Sequence, residues 1–248
     1  MTTHDQGTGS PGVASKWGAR AAELYDGSYA DRYRAHDDRI RGGELVTRFS
    51  NWLRAVCERF TPPIDALDLG CGTGRYFHAL RGVRRLVGID VSAPMLERAL
   101  MPVDGATVAI ESIQLIQGDF IQHVFEPCEF DLVYSIGVLA EHSPFDEAVA
   151  GRVRTWLKPG GRFAFTAVHP LSFSVPKTMK RRIGAALLPL AAGPLRRTLR
   201  GQLMRDGLYA DEERLRDVLD RTGFAVESLE PYESDVHLHL LTVARRAA

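Results

Sequence analysis

Three carboxylates stand at the ends of short apolar runs, where a polar ligand could meet them. Asp68 precedes the glycine loop in Ala66-Leu-Asp-Leu-Gly-Cys-Gly-Thr-Gly-Arg75. Asp90 comes 22 residues later, at the end of Arg85-Leu-Val-Gly-Ile-Asp90, and Asp119 lies in Gly118-Asp-Phe120. Glycines at positions 70, 72 and 74 let the backbone turn sharply and approach a ligand whose polar end meets the next helix. The dinucleotide fingerprint G-x-G-x-x-G would need a glycine where this chain has Arg75. A carboxylate just ahead of the loop suits an amine or sulfonium cation better than a pyrophosphate, on charge grounds. At its spacing, Asp90 can accept hydrogen bonds from ribose hydroxyls. Two histidines add proton chemistry: His142 in Leu139-Ala-Glu-His-Ser143 and His169 in Thr166-Ala-Val-His-Pro170. Imidazole titrates near neutrality, so either could serve as a general base.

These residues need strands that stop beside them. Ile64–Leu69, Arg85–Asp90, Ile113–Gln117, Phe130–Ile136 and Arg162–Val168 read as buried strands, and two more follow over Phe224–Leu229 and His237–Val243. Helical patterns separate them. Leu45, Phe49, Trp52, Leu53, Val56 and Phe60 recur at helical spacing until Pro62-Pro63. Ser92 is expected to cap a helix with Pro94 in its first turn, and Ser143-Pro-Phe-Asp146 has the pattern of a capping box. Val149, Val153, Trp156 and Leu157 form an apolar stripe closed by Pro159-Gly160-Gly161, and Asp211 caps a helix that ends at Gly223. Tyr25, Tyr29 and Tyr33 are spaced as on one face of a single N-terminal helix. Strands alternating with helices imply βαβ units and a mostly parallel sheet, whose carboxyl edge binds ligands. Asp68, Asp90, Asp119, His142 and His169 all fall at that edge.

The chain resembles the class I S-adenosylmethionine-dependent methyltransferases of small-molecule type. The matching segments are Leu67–Gly74, Val87–Leu96, Gln117–Phe120, Phe130–Leu139 and Leu157–Phe163, in the family's order. The resemblance implies an α/β fold: a doubly wound, seven-stranded, mostly parallel sheet whose last strand is antiparallel. It also implies S-adenosyl-L-methionine as cofactor. By that likeness Asp68 and the loop Gly70, Cys71, Gly72 and Gly74 hold the methionine moiety. Asp90 binds ribose, Met95 lines the adenine, and Asp119 with Phe120 meets its amine and edge. Val91 and Ser135 join the same expected set. Relatives fold an N-terminal segment over the cofactor, which makes Tyr25 and Tyr33 candidates for the methionine end; a simple core stripe explains the same spacing. Related enzymes also carry a histidine in a Leu-Glu-His pattern after the fourth strand, where this chain has Ala-Glu-His.

Methyl transfer is an in-line displacement that depends on orientation, worth roughly 7–11 kcal/mol. A positioned base adds roughly 10²–10⁴-fold, so a conspicuous base need not exist. Other chemistries lack their residues. Enzymes that methylate nucleic-acid amino groups need an Asn/Asp-Pro-Pro-Tyr-type motif where this chain reads Ser135-Ile-Gly-Val, and Pro127-Cys128 precedes the fourth strand, where a cytosine-attacking thiol would follow it. A metal-dependent catechol enzyme would cluster carboxylates past the fourth strand, and only Glu141 lies there, so no metal is expected. A non-methylating user of the cofactor (a cyclase or aminopropyl transferase), a silent cofactor-binding scaffold and an NAD-binding protein remain as alternatives.

Composition sets the frame. The 248 residues are 45% hydrophobic and 25% charged, ordinary for a soluble globular protein. Residues 1–12 read as a disordered tail without a secretory signal, and residues 13–248 as one domain. That domain divides into N-terminal helices (13–62), a cofactor core (63–170), an inserted lid (171–209) and closing elements (210–248). Three scattered cysteines form no C-x-x-C pair and point to a reducing cytoplasm. The formal net charge is zero, from 31 basic and 31 acidic residues, which argues against bulk electrostatic binding to nucleic acid. The balance hides a division. Residues 171–209 hold Lys177, Lys180, Arg181, Arg182, Arg196, Arg197, Arg200 and Arg205 against Asp206 alone, a surplus of +7. The remaining 23 basic and 30 acidic residues offset it. With Ile183, Leu187, Leu188, Leu190 and Leu195, this insertion suits an anionic or lipid-like acceptor or a membrane surface, or is a plain solvated face. A small-molecule substrate is the expected partner, and a homodimer is compatible with the sequence.

Overall fold

The structure is a computed structural model and describes residues 15–172, 187, 190–195, 208–235 and 237–247. The expected tail and nearly all of the basic insertion lie outside these residues. Seven strands form one sheet: β1 Ile64–Leu69, β2 Val83–Asp90, β3 Ser112–Gln117, β4 Phe130–Ser135, β5 Leu157–Val168, β6 Phe224–Glu233 and β7 Leu238–Arg246, in the order β3-β2-β1-β4-β5-β7-β6. The first five run parallel, and β7 is antiparallel to both β5 and β6. This is the doubly wound sheet expected from the sequence, and its strand order reverses beside β1. A crevice opens at such a reversal on the carboxyl edge.

Both faces of the central strands are covered, which is why β1 reads as a nearly continuous apolar run. Leu67 and Leu69 join one core with Val149, Val153 and Trp156 of α5 (Glu147–Trp156) and Leu215, Val218 and Leu219 of α6 (Glu212–Arg221). Ile64 and Ala66 face a second core with Val46, Phe49, Leu53 and Val56 of α3 (Glu44–Cys57). Side chains alternate along a strand, so Asp68 points to the second face with Ala66.

Several local expectations are corrected. The tyrosine-bearing segment is two helices, α1 Lys16–Leu24 and α2 Gly27–Ile40. Asp26 caps the second by accepting from Tyr29 N, which places Tyr25 at the break. Ser143 does not cap α5; Asp146 does, through Val149 N. The helix expected after the glycine loop is a single 3₁₀ turn, Phe77–Ala79. β5 begins at Leu157, and Pro159-Gly160-Gly161 is a bulge within it, where a side chain at Gly161 would strike the carbonyls of Asp131 and Lys158 at 2.9 Å. Ser92 does cap the helix α4 (Ala93–Ala99), with Pro94 in its first turn.

Candidate active site

A cleft opens at the carboxyl edge of the sheet, where ligands of such sheets bind. Gly70 and Gly72 of the loop line it, as do Asp90 and Val91 after β2, Met95 of α4, and Asp119 and Phe120 after β3. Tyr25, Tyr33 and His142 line it too. The structure thus brings together residues from seven separate stretches of the chain. Asp68, Cys71, Gly74, Ser135 and His169 are not among the lining residues.

The glycine loop is shaped by backbone that side chains resist. Gly70 has φ +76°, and a Cβ there would meet Val138 Cγ2 at 2.6 Å. The loop is then locked from outside. Thr73 Oγ1 donates to Asp37 Oδ2 at 2.5 Å, and the Arg75 guanidinium donates to Asp37 Oδ1 through Nε at 2.8 Å and through Nη2. Asp37 is 1% exposed, and the Arg75 guanidinium also covers the Tyr33 ring at 4.8 Å. Arg75, which breaks the dinucleotide fingerprint, is therefore a tie between α2 and the loop. Nothing in the sequence marked Asp37 as its partner.

Asp68 is 5% exposed at the end of β1, and burial pushes its carboxyl up to about 8, with Asp90 adding to the rise and Tyr134 opposing it. Asp90 accepts from Gly72 N and Ser92 N, both at 2.9 Å, and burial also raises its carboxyl. Among the described residues neither acid pairs with a basic side chain. Buried acids without a counter-ion fit a ligand that brings a cation and hydroxyls. Ser143 Oγ, in the cleft wall, is buried with no hydrogen-bond partner, a further group suited to a polar ligand. These features fit S-adenosylmethionine.

At the end of β3, Asp119 Oδ1 accepts from Ile121 N at 2.9 Å and Oδ2 from Ser15 N at 2.8 Å. Helix α1 thereby closes one side of the cleft, with Trp17, Gly18 and Ala21 in its wall. Gly18 approaches so closely that a Cβ would lie 2.3 Å from Asp119 Oδ2. Apart from a lone glycine beside Trp17, no local pattern marks this contact. Ser92 Oγ donates to the Tyr25 carbonyl at 2.5 Å and pins the other end of the helix.

The turn after β4 aims the candidate base. Gly137 and Ala140 take φ of +75° and +55°, and the N–H groups of His142 and Ser143 donate to Val138 O at 2.8 and 2.9 Å. This projects His142 into the cleft wall, edge-on to the Tyr25 ring at 6.0 Å. Burial holds the imidazole below its usual value, with His237 and Arg20 adding to the effect, so it is neutral and able to accept a proton. Glu141 Oε1 lies 3.6 Å from His142 Nε2, and burial pushes that carboxyl up to about 7, with Arg75 opposing.

The other expected residues are placed differently. His169 Nδ1 accepts from Leu171 N at 3.1 Å, and Nε2 lies 3.5 Å from Glu212 Oε2. The ring ties β5 to α6, away from the cleft. Ser135 Oγ donates to Leu69 O at 2.8 Å and links β4 to β1. Cys71 packs its sulfur against Gly88, and Gly74 gives room to Phe77. Among the described residues no cluster of potential metal ligands occurs, and no helix is long and apolar enough to cross a membrane.

Residues 66–161 match the family described as Methyltransferase domain. The chain is 31% identical over 150 residues to a sterol 24-C-methyltransferase of Gibberella zeae, covering 58% of this chain and 38% of that protein. It is 31% identical over 135 residues to nocamycin O-methyltransferase of Saccharothrix syringae, covering 52% of this chain and 47% of that protein. The chain thus spans less than half the length of these relatives. Among solved structures, it superposes with TM-score 0.62 and 16% identity on magnesium protoporphyrin IX methyltransferase from Synechocystis PCC 6803 with bound S-adenosylmethionine. That match covers 95% of this chain and all of the other. Residues 66–161 thus carry the methyltransferase-domain pattern, on a sheet with the fold of the class I S-adenosylmethionine-dependent methyltransferases.

Proposed function

We propose that the chain transfers the methyl group of S-adenosylmethionine to an oxygen, nitrogen or carbon nucleophile of a small or lipid-like molecule. The observation that carries this reading is the meeting of Asp90, Asp119 and the glycine loop around one cleft, with Asp68 buried behind the loop and lacking a counter-ion. When bound, the cofactor supplies an electrophilic methyl on a sulfonium. Asp68 holds the ammonium of the methionine moiety, Asp90 the ribose hydroxyls, and Asp119 with Phe120 the adenine. His142 takes the proton that a hydroxyl or ammonium nucleophile must lose. Orientation by this frame is the larger contribution, roughly 7–11 kcal/mol against about 3–5 from a base.

Calorimetry tests the cofactor assignment. S-adenosylmethionine and S-adenosylhomocysteine should each bind one site, and Asp90→Ala should weaken both by roughly tenfold to a hundredfold, the range for lost hydrogen bonds to a charged group. No heat of binding from either compound would refute it.

Residues 13–248 act in this reading as one catalytic domain. Free Cys57, Cys71 and Cys128 fit work in the reducing cytoplasm. The +7 surplus of residues 171–209, together with exposed Leu187, Leu190 and Leu195, supports peripheral contact with an anionic membrane.

A further inference from the structure

Opposite the last residue of β5, at the carboxyl edge of the sheet, lies a polar side chain that the proposed cofactor contacts do not use. His239, on β7 opposite Val168 of β5 and Tyr232 of β6, is 4% exposed. Among the described residues, neither Nδ1 nor Nε2 has a hydrogen-bond partner. Burying an imidazole with both nitrogens unpaired is costly, and in a folded protein such a group calls for a partner.

Its surroundings are rings. Phe49 meets it edge-on with centroids 5.1 Å apart, Tyr232 lies nearly parallel at 6.4 Å, and His237 is at 5.2 Å. Phe49 in turn reaches Tyr76, just past the glycine loop, at 6.3 Å. Ile136 lines the cleft and packs in the same core as Phe49, Tyr76 and Tyr232. A run of rings therefore links Tyr76, just past the glycine loop, through Phe49 to the unpaired imidazole.

The chemistry of that end is specific. Burial and the neighbouring His237 push the His239 imidazole down to about 4, so at neutral pH it is uncharged and offers one donor and one acceptor. A hydroxyl can satisfy such a ring. A carboxylate or phosphate would stay uncompensated beside it. The rings of Phe49 and Tyr232 favour a flat apolar body. On the basis of the methyl-transfer reading, we propose that His239 is the recognition residue for the methyl acceptor, an uncharged ring compound whose hydroxyl hydrogen-bonds the imidazole against Phe49 and Tyr232.

The probe is 2-naphthol, titrated calorimetrically into protein saturated with S-adenosylhomocysteine. Wild type should bind it, and bind it more tightly than 2-naphthoate. His239→Phe should lose about tenfold in affinity, the worth of one hydrogen bond, while His239→Gln, which keeps a donor and an acceptor, should retain most of it. Both variants should bind S-adenosylhomocysteine as wild type does. The His239 Cε1 resonance of the wild-type protein should shift on addition of 2-naphthol, a reading independent of any variant's folding. Absence of 2-naphthol binding to the loaded protein, equal affinity in His239→Phe, or tighter binding of 2-naphthoate would overturn the proposal. Failure to bind S-adenosylhomocysteine would overturn the methyl-transfer reading as well, so the two failures are distinguishable.

Discussion

Asp68 sets the clearest dependence on pH. Its carboxyl, pushed up to about 8 by burial, is protonated in the cofactor-free protein at neutral pH. A bound ammonium needs the carboxylate, so cofactor binding must release that proton. Affinity should therefore rise with pH from 6 toward 8, by up to tenfold per unit, and level off above. Calorimetry in buffers of different ionisation heat measures both the affinity and the released proton; Asp68→Asn should abolish the slope. An affinity independent of pH in wild type would contradict this account. The two histidines also separate at this scale. His142→Ala should lower methyl transfer by about 10²–10⁴-fold, whereas His169→Ala should keep turnover and lose stability at the β5–α6 corner. Nothing in the sequence distinguished them, because both follow a strand end; only the partners of each ring do.

At the scale of elements, the strands and the glycine loop were legible because burial on both faces leaves continuous apolar runs, and because positive φ leaves glycines. The ties between elements were not. Tyr25, Tyr29 and Tyr33 keep helical spacing across a break, since Asp26 caps a new helix without disturbing the count. Ser143 has the type and spacing of a cap, yet Asp146 three residues on takes that place. The pairing of Asp37 with Thr73 and Arg75 joins positions more than thirty apart, which no local pattern records. Removing one partner of a buried pair strands the other, so Asp37→Ala should cost about 3–5 kcal/mol, read as a lower denaturant midpoint. Helix α1 offers a second test. Gly18→Ala places a methyl group against Asp119, and overpacking of this kind costs about 1–3 kcal/mol. It should displace α1, weaken cofactor binding about tenfold and lower the melting temperature by a few degrees. Unchanged affinity would mean that α1 does not close the site.

For the whole molecule, zero net charge is a division between a basic insertion and an acidic remainder. Co-sedimentation should show binding to vesicles rich in anionic lipid, reduced by raised salt and weak on neutral vesicles. Equal, negligible binding to both would remove membrane contact. The most direct test of methyl transfer is incubation with S-adenosylmethionine labelled in its methyl group and a metabolite extract, followed by separation of the products. The account predicts label in a small-molecule fraction with matching S-adenosylhomocysteine, both lost in Asp68→Asn. Bound cofactor with no labelled product and no S-adenosylhomocysteine would contradict it.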